Sequence, residues 1–300
     1  MPQTYDVIII GAGPAGLTAA VYCGRAALRT LVLGNSYDSQ VAKTDIVENY
    51  PGFPDGIKGM ELIEKMAAQA KLYAENVAER VEKTQKNGDV FSMKTESAEY
   101  LGKALFMCTG ATHREMGVKG EKEFANKGVS YCAVCDGSLF RGMKVVVAGY
   151  GNGAAKAAMY LSGLSGKVTV LCTQSTLKCE IIYLERLKKN KNVEITCGVK
   201  LESIEGDSAV KRVRYAEGEK KKVVETDAVF IEYGTVPNSK LAKELGIQLT
   251  DKGFIKVNEL QETNIKGVFA AGDITGGRRQ IATAVGEGAN AAISAINYLK

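Results

Sequence analysis

Cys132-Ala133-Val134-Cys135-Asp136 holds two thiols separated by two residues, with a carboxylate directly after the second. Such a pair can close to a disulfide and reopen, storing two electrons. One thiol of a Cys-X-X-Cys pair usually has a depressed pKa, which makes it a nucleophile near neutral pH. Asp136 is placed to give and take the proton that this chemistry requires. A structural zinc would need about four nitrogen or sulfur ligands. Cys23, Cys108, Cys172, Cys179 and Cys197 form no second close pair in the sequence, and His113 is the one histidine, so no metal site is expected. An odd total of 7 cysteines and the absence of a secretory pattern argue against a purely structural bridge. They point to a reducing, cytoplasmic setting.

Two strand–turn–helix–strand patterns must position such a pair. Val7–Ile10 is a short branched apolar run that reads as a buried parallel strand. Gly11-Ala12-Gly13-Pro14-Ala15-Gly16 follows, then a helix over Leu17–Leu28 and a strand at Thr30–Leu33. In that context the G-x-G-x-x-G spacing is a dinucleotide fingerprint. The first glycine makes the tight turn, the second admits a pyrophosphate to the backbone, and the third lets helix and sheet pack closely. The acid that ordinarily ends the second strand is replaced by Gly34-Asn35. A near-repeat follows the cysteines: a strand at Lys144–Ala148, the turn Gly149-Tyr150-Gly151-Asn152-Gly153-Ala154, a helix over Ala155–Leu161 and a strand at Val168–Leu171. Late in the chain Val268–Asp273 gives a strand ending in Gly-Asp, before a helix rich in small residues over Ala282–Leu299. The expected fold class is α/β with two Rossmann-like dinucleotide-binding domains, the first completed by the C-terminal segment and the second inserted into it.

The totals fit a soluble globular protein of one large or two ordinary domains: 300 residues, 45% hydrophobic and 24% charged. No apolar run is long enough to span a membrane. A net charge of +5 is mild and suits an acidic partner. Dispersed basic residues and few aromatics argue against nucleic acid. The charge run Glu217–Lys222 reads as a solvated hairpin turn. Cys23 and Cys108 read as buried inert thiols, and His113 as structural or partner-facing. Tyr131, Tyr150 and Tyr183 are candidates to fill the space of a second nucleotide.

Gly11–Gly16, Glu48-Asn49-Tyr50-Pro51-Gly52, Thr109-Gly110-Ala111, Cys132–Gly137 and Gly272-Asp273 followed by Arg279-Gln280 occur in an order that resembles the low-molecular-weight thioredoxin reductases, two-domain homodimeric flavoproteins. The resemblance runs essentially end to end. It implies FAD in a discontinuous domain, residues 1–114 and 246–300, with residues 115–245 as the inserted domain carrying the redox pair. Gly11, Gly13, Pro14, Ala15 and Gly16 would hold the pyrophosphate, and Gln40 and Asn49 would contact the flavin side. Thr109 and Gly110 would line the cleft. Gly272 and Asp273 would meet the ribityl chain or phosphate, and Arg279, Gln280 and Ile281 would lie near the isoalloxazine. Cys135 would face the flavin, Cys132 would attack the disulfide of thioredoxin, and Asp136 would be the acid–base residue.

The second nucleotide unit departs from the family pattern. Members that use NADPH carry a pair of acids after the glycine loop and a His-Arg-Arg cluster after the next strand, whose arginines suit the 2′-phosphate. Here Tyr150 stands inside the loop, Lys156-Ala157 replace the acids, and the strand is followed by Cys172-Thr173-Gln174-Ser175. Neither an arginine for NADPH nor an acid for the 2′-hydroxyl of NADH is present. The chain is therefore most similar to the pyridine-nucleotide-independent branch, the ferredoxin-linked flavin thioredoxin reductases, with ferredoxin as donor and thioredoxin as substrate. Two alternatives stand beside it. One is an NAD(P)H-dependent reductase whose divergent site uses Lys156, Thr173, Gln174 or Lys178. The other is a non-catalytic flavoprotein that kept the fold.

Overall fold

The computed structural model describes residues 3–44 and 46–300. The chain forms two compact units, one from its first segment up to Thr112 together with Val236–Lys300, the other from His113 to Thr235.

In the first unit, β1 (Gln3–Ile10), α1 (Pro14–Arg25) and β2 (Thr30–Leu33) make the first crossover between parallel strands. Alternation along β1 sends Val7 and Ile9 to one face of the sheet and Ile8 and Ile10 to the other, and both faces are fully buried. The short pair β3 (Ile46–Val47) and β4 (Ile57–Lys58) leads into α2 (Gly59–Lys71), β5 (Glu75–Val77), the hairpin β6 (Lys83–Asn87) and β7 (Val90–Lys94), then β8 (Glu99–Met107) and β9 (Ala111–His113). The strand order is β5-β2-β1-β8-β7-β6.

The inserted unit begins with β10 (Val129–Ser130) and α3 (Ala133–Asp136), then β11 (Lys144–Gly149), α4 (Asn152–Ser162), β12 (Lys167–Cys172), α5 (Ile181–Lys189) and β13 (Val193–Cys197). An antiparallel meander of β14 (Val199–Gly206), β15 (Val210–Glu217) and β16 (Lys220–Glu225) precedes β17 (Ala228–Glu232). The parallel sheet runs β10-β17-β11-β12-β13. The charge run at 217–222 is the exposed β15–β16 turn, where Glu217 pairs with Lys222.

The chain then returns through β18 (Thr235–Pro237), α6 (Lys240–Leu245), β19 (Val268–Ala270) and α7 (Ile281–Leu299). β19 pairs in parallel with the end of β8, whose beginning pairs antiparallel with β7. The last strand thus enters the middle of the first sheet. Both Rossmann-like units expected from the sequence are present. Two helices start earlier than their apolar patterns suggested, α1 at Pro14 and α4 at Asn152. Small residues of the glycine turns already carry helical backbone, and Pro14 is favoured at the first helical position because its missing N–H costs nothing there. Among the described residues no helix is long and apolar enough to cross a membrane, and no group of three or more His, Cys, Asp or Glu side chains could hold a metal ion.

Candidate functional site

The β1–α1 turn shows three glycines with three different constraints. Gly11 sits at φ +113°, and a Cβ there would lie 2.1 Å from the carbonyl oxygen of Cys108. A Cβ on Gly16 would lie 2.0 Å from the oxygen of Gly11, so only glycine lets α1 leave the sheet at this angle. Gly13 faces open space, its nearest neighbour being Ser39 Cβ at 4.0 Å. Free backbone beside the N-terminus of α1, with Pro14 and Ala15 adding no bulk, is a cradle for a phosphate.

The C-terminal segment closes this cradle. α7 packs on α1 so tightly that a Cβ on Gly288 would come within 2.3 Å of the carbonyl oxygen of Ala15. A Cβ on Gly272 would lie 3.0 Å from the side chain of Ala15. The Gly272 N–H donates to Glu287 at 2.7 Å, and Thr275 Oγ1 donates to the same carboxylate at 3.2 Å. Asp273 follows, and burial raises its pKa against the opposing pull of Arg279. Burial likewise raises the pKa of Glu287, although its two donors oppose the shift. Gln280 and Thr283 cap α7 reciprocally. Asn49 Nδ2 donates to Gln280 Oε1 at 3.1 Å, which joins the Asn49 loop to the start of α7 across most of the chain. Arg279 takes φ +53°, a left-handed conformation immediately before this cap, and Ile281 opens the helix.

On the other side, Gln40 Nε2 donates to the carbonyl of Ala111 at 3.4 Å. Thr109 Oγ1 donates to the carbonyl of Asn238 at 2.9 Å, and Asn238 Nδ2 donates back to the carbonyl of Thr109 at 2.8 Å. The Asn238 N–H also reaches the carbonyl of Gly110. Sequence reasoning missed Asn238, Thr275 and Glu287. A Pro-Asn pair is a turn signal, but nothing in it reveals that the amide returns to Thr109.

In the inserted unit Cys132 and Cys135 form a disulfide with Cα atoms 5.3 Å apart. Cys132 caps the start of α3 and Cys135 lies within its single turn, with Cys132 Sγ accepting from the Cys135 N–H at 3.2 Å. Both are partly exposed, while Ala133 between them is buried and fixes the turn against the core. Asp136 accepts a hydrogen bond from Ser130, whose hydroxyl oxygen in turn accepts from the Cys132 N–H at 3.1 Å. Ser130 was also missed. It ties the carboxylate to the backbone of the first cysteine. Tyr131 stacks on His113 at 5.2 Å and donates to Glu121 at 2.9 Å. Glu121 is buried and accepts as well from the N–H groups of Met116, Gly117 and Val118, which gives His113 a structural setting.

The second glycine turn is furnished from within. A Cβ on Gly149 would lie 2.7 Å from the carbonyl oxygen of Glu232, and one on Gly153 would lie 3.2 Å from Glu232 Oε2. A carboxylate thus stands against the first turn of α4. Asn152 exchanges two hydrogen bonds with Glu180, at 3.2 and 2.9 Å. Tyr150 packs edge-on against Tyr233, whose hydroxyl donates to Thr173 at 2.8 Å. Lys156 lies over the ring of Tyr183. Cys23 and Cys108, in the first unit, are buried thiols that desolvation pushes up to about 12.

Comparison with known proteins agrees with this layout. The family model described as pyridine nucleotide-disulphide oxidoreductase matches residues 5–288. The thioredoxin reductase of Bacillus subtilis (strain 168) is 41% identical, over 99% of this chain and 96% of its own length. A "34.2 kDa protein in rubredoxin operon" of Clostridium pasteurianum is 38% identical over 98% of this chain and 97% of its own. The crystal structure of thioredoxin reductase from Streptococcus pyogenes MGAS5005 superposes with a TM-score of 0.93 at 36% identity, covering 100% of this chain and 99% of that one. With a glycine cradle, a redox disulfide and end-to-end similarity in hand, the chain belongs to the low-molecular-weight thioredoxin reductase family and is a flavoprotein disulfide oxidoreductase.

Proposed function

We propose that this protein binds FAD in its first unit, reduces thioredoxin through Cys132 and Cys135, and takes its electrons from reduced ferredoxin rather than from NADH or NADPH. The single observation behind the choice of donor is the carboxylate of Glu232 against the first turn of α4. A dinucleotide pyrophosphate needs that place, and two anions repel each other there. The missing ribose partners after β12 support the same reading.

The open face of Gly13 and the cradle made by Gly11, Pro14, Ala15 and Gly16 fit a pyrophosphate. Gly272 and Asp273 would hold the adjoining phosphate or ribityl chain. Gln40, Asn49, Thr109, Gly110, Arg279, Gln280 and Ile281 would border the ring system. FAD supplies the conversion of single electrons into a two-electron reduction of a disulfide. At the disulfide, two electrons break the Cys132–Cys135 bond and leave two sulfurs to be protonated. Cys132 Sγ then attacks a sulfur of the thioredoxin disulfide, forming a mixed disulfide and releasing a thiolate, which Asp136 protonates. Cys135 Sγ attacks Cys132 Sγ, the intramolecular bond reforms, and the second substrate thiol departs. Ser130 orients the Asp136 carboxylate for these transfers.

The driving force suffices. Ferredoxin near −400 mV and thioredoxin near −270 mV differ by about 130 mV, worth roughly 6 kcal/mol for two electrons.

The test is anaerobic. NADPH and NADH are added separately to the oxidised protein while its visible flavin absorbance is followed, and then reduced ferredoxin is added with thioredoxin present. Ferredoxin should bleach the flavin and generate two thiols per thioredoxin, and neither nucleotide should. Rapid bleaching by either nucleotide ends the ferredoxin reading and favours a divergent site using Lys156, Thr173, Gln174 or Lys178. Protein that stays colourless after reconstitution ends the flavin reading. Failure to gain two thiols on dithionite reduction would leave a non-catalytic flavoprotein. The family resemblance also implies a homodimer, to be checked by light scattering.

A further inference from the structure

The inserted unit holds a second group of thiols at the opposite edge of its sheet from β10, the strand that leads into the Cys132–Cys135 turn. Cys172 ends β12 and Cys197 ends β13, and the two are register partners on adjacent parallel strands. Neighbouring strands run about 4.8 Å apart, inside the Cα window of about 4.4–6.8 Å in which a disulfide closes without moving backbone. Both side chains belong to the same core face as Cys179, and the Cys172 thiol interacts with Cys197 and, more weakly, with Cys179. Cys172 is fully buried, whereas Cys197 is partly exposed. The Cys172 sulfur also lies 3.3 Å from the carbonyl oxygens of Gln174 and Thr176, so its proton helps to hold the loop after β12. That loop is further held by the Gly198 N–H on Gln174 at 2.7 Å and by Tyr233 on Thr173. It occupies the carboxyl end of the strands, where this fold binds its ligands.

We propose that Cys172 and Cys197 form a second dithiol–disulfide couple, oxidised by hydrogen peroxide, that loosens the 173–178 loop when it closes. Cys197 is the sulfur that peroxide meets first, because burial pushes the Cys172 thiol up to about 11 and shields it. Cys197 attacks the peroxide O–O bond, giving a sulfenic acid and one water. Cys172 Sγ then attacks that sulfur, the S–S bond forms, and the hydroxyl leaves as a second water with the Cys172 proton. Two electrons pass from the two sulfurs to peroxide. A dithiol reductant reverses the step by exchange. Closure removes the hydrogen that Cys172 shares with Gln174 and Thr176.

Trypsin separates the three cysteines into three peptides, Val168–Lys178, Cys179–Arg186 and Asn192–Lys200. The full-length protein is reduced, treated with hydrogen peroxide, quenched in excess N-ethylmaleimide under denaturing conditions and digested without reductant. Mass spectrometry should find Val168–Lys178 bridged to Asn192–Lys200, two hydrogens lighter than their sum, with Cys179 carrying maleimide. Dithiothreitol should dissolve the bridge. Closure of Cys132–Cys135 in the same sample shows that oxidant was sufficient. Cys179→Ser should leave the bridge intact, while Cys197→Ser should leave Cys172 free to take maleimide. The proposal fails if Cys172 and Cys197 both take maleimide once Cys132–Cys135 has closed. It fails equally if the bridge runs through Cys179, or if Cys179→Ser abolishes it.

Discussion

At the scale of single residues, the proposed mechanism puts the proton transfers of the disulfide chemistry on Asp136. Asp136 is held by Ser130, which also accepts from the Cys132 N–H. Asp136→Asn should lower steady-state thioredoxin reduction about 10²- to 10⁴-fold, the usual range for a lost general acid, while dithionite still opens the disulfide to two thiols. Equal rates in both proteins would remove Asp136 from the mechanism. Asp273 tests burial. Its raised pKa means that the folded state holds the proton more tightly than the unfolded chain does. The stability this gives is full below the unfolded value near 3.9 and is lost as pH rises through the folded value. Flavin-free Asp273→Asn should therefore melt a few degrees above the parent at pH 7, with the gap closing near pH 3.5. Thermal unfolding across that range checks it, and a constant gap would assign the effect to packing instead.

At the scale of elements, α7 offers two glycines two residues apart with opposite roles. A Cβ on Gly286 meets nothing, whereas one on Gly288 would strike the backbone of Ala15. Gly286→Ala should stabilise the first unit by up to about 1 kcal/mol through helix propensity. Gly288→Ala should destabilise it by about 1–3 kcal/mol by forcing α7 off α1, with weaker flavin retention. Urea titrations of the two variants give both signs in one experiment. The same helix shows what a sequence can reveal. Branched runs before glycine turns mark β1, β11 and their crossovers, because a parallel strand must be apolar on both faces. The small-residue pattern of α7 signals close packing without naming α1 as the surface. Contacts such as Asn49 with Gln280, Asn238 with Thr109, and Glu232 with Gly153 join distant segments through side chains that look ordinary locally. Position in the chain likewise does not tell which ring a tyrosine meets: Tyr131 stacks on His113, and Tyr150 packs on Tyr233.

At the scale of the whole molecule, a net charge of +5 would draw the proposed acidic donor by long-range attraction that salt screens over about 8–10 Å. Ferredoxin-driven turnover at limiting donor should fall severalfold between 50 and 300 mM NaCl, while dithionite-driven turnover should hardly change. A stopped-flow series at the two salt concentrations separates them. Equal salt sensitivity would move the electrostatic step to thioredoxin.

The late arrival of β19 and α7 has a consequence for the newborn chain. Ala15 cannot receive Gly288, nor β8 its partner β19, until the whole inserted unit has left the ribosome. At about 5–20 residues per second, the inserted unit has several seconds in which to fold by itself while the amino-terminal half waits as an open sheet with an uncovered middle strand. With FAD bound where proposed, synthesis would complete the thiol-bearing unit before the flavin-binding one, and a nascent chain stalled before Val268 would be colourless while already carrying both redox cysteines.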